Sequence, residues 1–223
     1  MTRLPSTMKT LGMVVLLQAM MAPLYAASPE PARADSDWIL ARLVQPPPAR
    51  TSFVELRGSK LLKKPLRLQG EYLRPDADTL VRQVAAPYVE KTTIRAGEVE
   101  IAREGKTPRR FSLARVPEMA ALQASFGALL SGDRRLLEQH YRLDTQGTRQ
   151  RWTLTLTPKD PLVLQKLEAV TLYGSGSELR CIETQPVNGE SQRTLLAGAA
   201  RAAGTVYAPG ALATLCYGGA KAQ

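Results

Sequence analysis

The sequence predicts a mainly β (α+β) protein, an unclosed antiparallel β-barrel of about ten to eleven strands with a short helical lid or plug. Three observations carry this expectation. From Thr51 onward apolar residues alternate with polar or charged ones at a period of two, the mark of half-buried strands. Short turn signals such as "RAGE" and "REGKTP" separate these runs, as in a meander of hairpins. Helical periodicity appears only twice, once before the strands and once between them. Tight connections imply antiparallel pairing, because a parallel crossover needs a dozen or more residues. Each strand shows one apolar and one charged face, so the sheet is expected to cover something on one side only. Helices this few do not blanket such a sheet. Curling it around them as a plug or lid is the economical solution.

The chain opens with Arg3 and Lys9, the apolar run "TLGMVVLLQAMMAPL" and the small-residue exit "LYAASPE". That order reads as a secretory signal peptide over 1–26, with an apolar core shorter than the roughly 20 residues a spanning helix needs. The expected location is the periplasm, where the mature chain is soluble. Residues 27–35 are Pro- and Ala-rich and are expected to be a flexible lead-in. Asp35 or Ser36 then caps a short helix, "DWILARLV", which "QPPPAR" stops because proline lacks the helix donor.

The expected strands follow as "SFVELR", "PLRLQGEYL", "DTLVRQVA", "YVEKTTIR", "EVEIAR" and "RRFSLAR". The helical insert "PEMAALQASFGALLSGDRRLLEQHY" interrupts them, with Met119, Leu122, Phe126, Leu129 and Leu130 on one stripe. Strands resume with "QRWTLTLTP", "LQKLEAVTLYG", "SELRCIETQ" and "ESQRTLLAG". In the first of these Trp152, Leu154 and Leu156 share a face. The folded domain is expected over 36–197. Residues 198–223 are rich in Ala and Gly and lack acids, a tail whose order the composition leaves open. Cys181 and Cys216 can pair in an oxidising compartment, and whether they do depends on that tail.

Composition excludes several function classes. The formal net charge is +10, but the arginines are scattered and only 5% of residues are aromatic. Nucleic-acid binding calls for a focused basic stripe with stacking rings, so no nucleic-acid partner is expected. His140 is the single histidine, and with two distant cysteines it makes a zinc site of ordinary ligand type untenable. Glu98 and Glu100 lie at strand spacing and read as a solvated face rather than a glycosidase pair. No phosphate loop follows a strand. The chain reads as a binding protein without cofactor or metal, and not as an enzyme.

The stretch "FVELR", "LQGEYLRPD…VAAPYVEKTTIRAGEVEI", then "WTLTLTP" and "LEAVTLYGSGSELRCIETQPVNGESQRTLL", resembles the outer-membrane lipoprotein carrier family, LolA and its relatives, over about residues 36–197. The resemblance implies a half-barrel with an apolar interior that shields the acyl chains of a lipoprotein or other lipid cargo. It implies a monomer working between an inner-membrane donor and an outer-membrane acceptor. Arg74 matches the family's Arg-Pro arginine, which latches the lid by bonding its backbone carbonyls. The cavity and lid are then expected from Leu73, Val89, Ile94, Val99, Ile101, Phe111, Leu113, Met119, Leu122, Phe126, Leu130, Trp152, Leu154 and Leu156. The sequence departs from the family at "AGEVEIARE", which lacks the usual aromatics, and in the Ala/Gly tail. A periplasmic sensor or regulatory module on the same fold is the alternative function.

Overall fold

Capping starts the first element: Asp35 accepts a hydrogen bond from the Trp38 amide at 2.8 Å and opens α1 (Ser36–Leu43). Ile39, Leu40 and Leu43 form its buried stripe. The computed structural model describes residues 32–57, 66–115, 128–129, 131–205 and 208–218. The expected signal peptide and the lid residues Met119, Leu122, Phe126 and Leu130 lie outside the described residues.

Six strands follow α1: β1 (Ala49–Arg57), β2 (Leu66–Arg74), β3 (Thr79–Ala86), β4 (Glu90–Arg95), β5 (Glu98–Arg103) and β6 (Arg109–Ser112). After a 3-10 turn at Leu113–Arg115 the next complete helix is α2 (Arg134–His140), which runs into β7 (Tyr141–Thr148). Then come β8 (Arg151–Pro158), α3 (Pro161–Leu164), β9 (Leu167–Ser175), β10 (Glu178–Pro186) and β11 (Gln192–Leu196). Two helices close the described chain, α4 (Ala197–Ala202) and α5 (Pro209–Cys216).

The described strands form one 11-stranded antiparallel sheet, in the order β6-β5-β4-β3-β2-β1-β11-β10-β9-β8-β7. Two meanders therefore meet at a central seam, where β1 pairs with β11 in the register Phe53 opposite Leu196. The outer strands β6 and β7 do not pair with each other, so the barrel is open. The chain joining these two edges carries α2.

Several expectations are corrected. The strand β7 was not foreseen. Its sequence "YRLDTQGT" has only Tyr141 and Leu143 as apolar members of the alternation, and it lies at a sheet edge. The run "RRFSLAR" is strand only to Ser112. The lead-in is tied down where it is described: Arg33 bridges Thr148, the Ala34 amide donates to Gly147 O at 3.2 Å, and Ala34 is buried. The central strands are buried on both faces, not one. On the inner face Phe53, Leu68, Trp152, Leu154, Leu156, Leu172 and Leu196 pack with α1, Ala128 and Leu129. On the outer face Val54, Leu56, Cys181 and Leu195 pack beneath α4 and α5, and Cys181 is bonded to Cys216.

Candidate functional site

Cross-strand register shows which side chains share the inner face. Leu80 stands opposite Ile94, Ile94 opposite Val99, and Val99 opposite Phe111, forming one apolar row over four strands. On the other wing Ile182, Leu172 and Leu154 form a matching row. The sheet's alternation points all of these the same way. Between the rows lies a cavity of about 270 Å³ at the end of α1, bounded by Leu43, Tyr72, Leu80, Leu129, Ile182 and Leu196. Gln45, Thr51 and Glu178 supply polar groups at its rim. A volume near 270 Å³ equals about nine water molecules at roughly 30 Å³ each. A lining of this kind favours an apolar guest over water.

The expected residues divide into three groups. Ile94, Val99, Ile101 and Phe111 fall on the inner face of the β4–β6 wing, with Val99 fully buried. Trp152, Leu154 and Leu156 belong to the inner core, and Leu113 is buried at the 3-10 turn. Leu73 and Val89 are corrected. Leu73 pairs with Arg50 and Val81, one position out of phase with Tyr72, and so sits on the outer face. Val89 is half exposed in the turn between β3 and β4, where alternation no longer fixes direction. Trp152 is held by a close fit as well as by its strand. Its indole N–H donates to Gly176 O at 3.0 Å, and a Cβ on Gly174 would stand 1.9 Å from its ring.

Arg74 ends β2 at the rim. One guanidinium nitrogen donates to Gln45 O at 2.7 Å, just beyond the end of α1, and another to Ala77 O at 3.5 Å. It therefore holds the C-terminal end of α1 against the "LRPD" corner, where helix carbonyls lack intrahelical donors. The corner is stiffened by Asp76, which accepts from the Asp78 amide and the Thr79 hydroxyl, both at 3.0 Å. The Thr79 hydrogen bond chiefly lowers the pKa of Asp76. On the far side of α1, Arg134 of α2 reaches Asp37 at 2.7 Å and Glu138 at 2.8 Å.

Sequence reasoning missed the polar centre of the inner face. Glu55 is 1% exposed, and a carboxyl group buried to that degree needs hydrogen-bond partners. It accepts from Arg82 at 3.1 Å, from Gln192 at 2.8 Å and from Arg57. The Arg82 guanidinium also lies 4.6 Å from the Phe53 ring centroid, and Phe53 packs on Tyr72 with 4.9 Å between centroids. Burial raises the Tyr72 pKa against the opposing pull of Arg82. Burial alone would lower the Arg82 pKa, but Tyr72 and Glu55 beside it raise it. The network thus reaches the cavity wall through Tyr72. The signal was present in "FVELR", where an acid stands in phase with Phe53.

The remaining candidates for chemistry stay apart. His140 is exposed at the end of α2. Glu100 pairs with Arg110 at 2.6 Å on an exposed face. Among the described residues no group of His, Cys, Asp and Glu could hold a metal ion, and no helix is long and apolar enough to cross a membrane.

An open antiparallel barrel with an apolar cavity beside a helix has the shape of a protein able to house an apolar guest. The sequence places it further: the model of the family described as outer membrane lipoprotein carrier protein LolA-like matches residues 26–220, and the chain belongs to that family. The match runs through α4 and α5, beyond the span the residue pattern suggested. A crystal structure of a LolA superfamily protein from Nitrosomonas europaea is similar at 12% identity and a TM-score of 0.37, covering 74% of this chain and 91% of that one. No curated protein matches the chain.

Proposed function

We propose that the protein is a periplasmic carrier that takes the acyl chains of a lipidated protein or another lipid into the inner-face cavity and ferries them towards the outer membrane. The observation that carries this reading is the apolar cavity at the rim of the open barrel, continued by the row Leu80, Ile94, Val99 and Phe111. Each methylene moved out of water contributes about 0.8 kcal/mol, so an acyl chain is held without specific polar contacts. A cavity of this size takes part of one chain. A larger cargo requires the rim at the end of α1 to open, and Arg74, bonded to Gln45 O there, would govern that step.

The test is displacement of a hydrophobic dye by long-chain acyl lipids. The wild type is expected to release the dye as lipid is added, and Leu80→Trp, which fills the cavity from its wall, is expected to bind neither. A folded wild type whose dye no acyl ligand displaces would refute the carrier.

A further inference from the structure

A second hollow, larger than the inner cavity, lies on the other face of the sheet. A groove of about 1010 Å³ crosses the outer side of β8 and β9 and ends against α5. Its lining includes Arg151, Arg180, Thr153, Thr155, Thr171 and Tyr217, and none of the described residues that line it is acidic. Outward-facing threonines on a half-buried sheet are ordinary. Arg180 is not ordinary.

Leu179 stands opposite Gly174 and Cys181 opposite Tyr173, so Arg180 is the extra residue of a β-bulge. A bulge re-aims a side chain, and here it turns the guanidinium to the same side as Cys181. The Nε of Arg180 is buried and has no hydrogen-bond partner. Its Nη1 lies 3.9 Å from Glu178 Oε2, beyond hydrogen-bonding reach. Glu178 meanwhile accepts from the Gly198 amide at 2.5 Å. The other nearby acid, Glu183, is engaged within the wall by Arg193 at 2.6 Å, Tyr173 at 2.9 Å and Tyr217 at 3.2 Å. A buried guanidinium donor without an acceptor is rare and calls for one.

We propose that this groove binds the phosphate of a phosphate monoester, with Arg180 as the anchoring fork, Arg151 as the second cation and the threonine hydroxyls as further donors. Two guanidiniums with no carboxylate among the lining match a group that carries nearly two negative charges at neutral pH. The planar fork also suits phosphate oxygens better than a point charge would. The site is separate from the acyl cavity and stands whether or not the carrier reading does.

The test uses two sources of the same chemistry, soluble glycerol 3-phosphate followed by calorimetry and phosphatidylcholine vesicles containing phosphatidic acid followed by co-sedimentation. Binding to glycerol 3-phosphate marks a soluble ligand, and binding to the vesicles alone marks a lipid head group. In either case Arg180→Gln is expected to weaken binding about tenfold or more, and the more exposed Arg151→Gln by less. Arg110→Gln, which removes the same charge at the distant β6 edge, is expected to change nothing. Binding to neither source, or an equal loss in all three variants, overturns the proposal. Dye displacement from the inner cavity is expected to be unchanged in Arg151→Gln, whose side chain lines the outer groove and not the cavity, so failure here and failure of the carrier reading are told apart.

Discussion

On the inner side of β1, Phe53 belongs to a cluster of leucines with Trp152 and Tyr141, and it packs on Tyr72, which lines a cavity. One residue further on, Val54 faces outward and packs beneath Ala199, Ala200 and Ala203, with the disulfide at the edge of the cluster. The sizes differ for a reason. Alanines let α4 approach the sheet closely, whereas long side chains between a curved sheet and one short helix leave space. Each face also holds one buried carboxylate. Glu55 has two guanidiniums and an amide, and Glu183 has one guanidinium and two tyrosine hydroxyls. The outer face near the seam is thus closed by small side chains and a disulfide while the inner face keeps a cavity, although both are apolar.

Removing the staple is expected to separate the two most strongly. The double substitution Cys181→Ser and Cys216→Ser opens a link spanning 35 residues, worth about 4 kcal/mol in the chain-entropy description. Denaturant unfolding should show that loss while dye affinity at the inner cavity stays as in the wild type. A parallel loss of dye binding would erase the distinction between the faces. Next in size is Glu55→Gln, which leaves Arg57 and Arg82 facing each other without their anion. Breaking a buried pair of this kind costs about 3 kcal/mol or more. Because Tyr72 joins that network to the cavity wall, dye affinity should fall with stability, the reverse of the cysteine variant.

A smaller effect is expected at the rim. Arg74→Leu frees the end of α1 at Gln45. Cargo should enter more easily and leave about tenfold more slowly, on the scale of one charge-assisted hydrogen bond. Timing lipopeptide transfer to acceptor liposomes reads this out, and wild-type transfer would make Arg74 a structural residue only. The smallest effect is alkaline. Burial raises the pKa of Tyr72 on the inner face, and burial followed by Glu183 raises that of Tyr173 on the outer face, both above the usual 10.0. A raised folded-state pKa favours the folded state below the unfolded value, and that contribution is lost as pH rises above it. Stability should therefore fall between pH 10 and 12 in thermal melts, and Tyr173→Phe should flatten the outer-face share.

How much of this was legible follows from particular residues. The runs that became β1–β5 and β8–β11 were readable because each keeps its alternation through five or more residues. The edge strand β7 was not, since Thr145 and Gly147 occupy inner positions where an apolar residue would have signalled a strand. "FVEL" was read as one-faced, but β1 is central and covered on both sides, so Val54 and Leu56 mark a second core. The helices of the Ala/Gly segment were obscured because their contacts depend on smallness. Arg180 was invisible for a different reason: a bulge is a property of pairing, and one strand's sequence does not contain it.

The seam between β1 and β11 has a consequence for how the molecule comes into being. The first strand waits for the last. Until β11 has emerged and found Phe53, β1 is an open edge with unpaired amides and an apolar strip on each face, the arrangement most apt to recruit a foreign strand. Contacts so distant along the chain also form slowly. A chain passed through a membrane N-terminus first would hold this vulnerable state for the whole of its passage, so an escort that covers β1 would matter more to its yield than any gain in final stability.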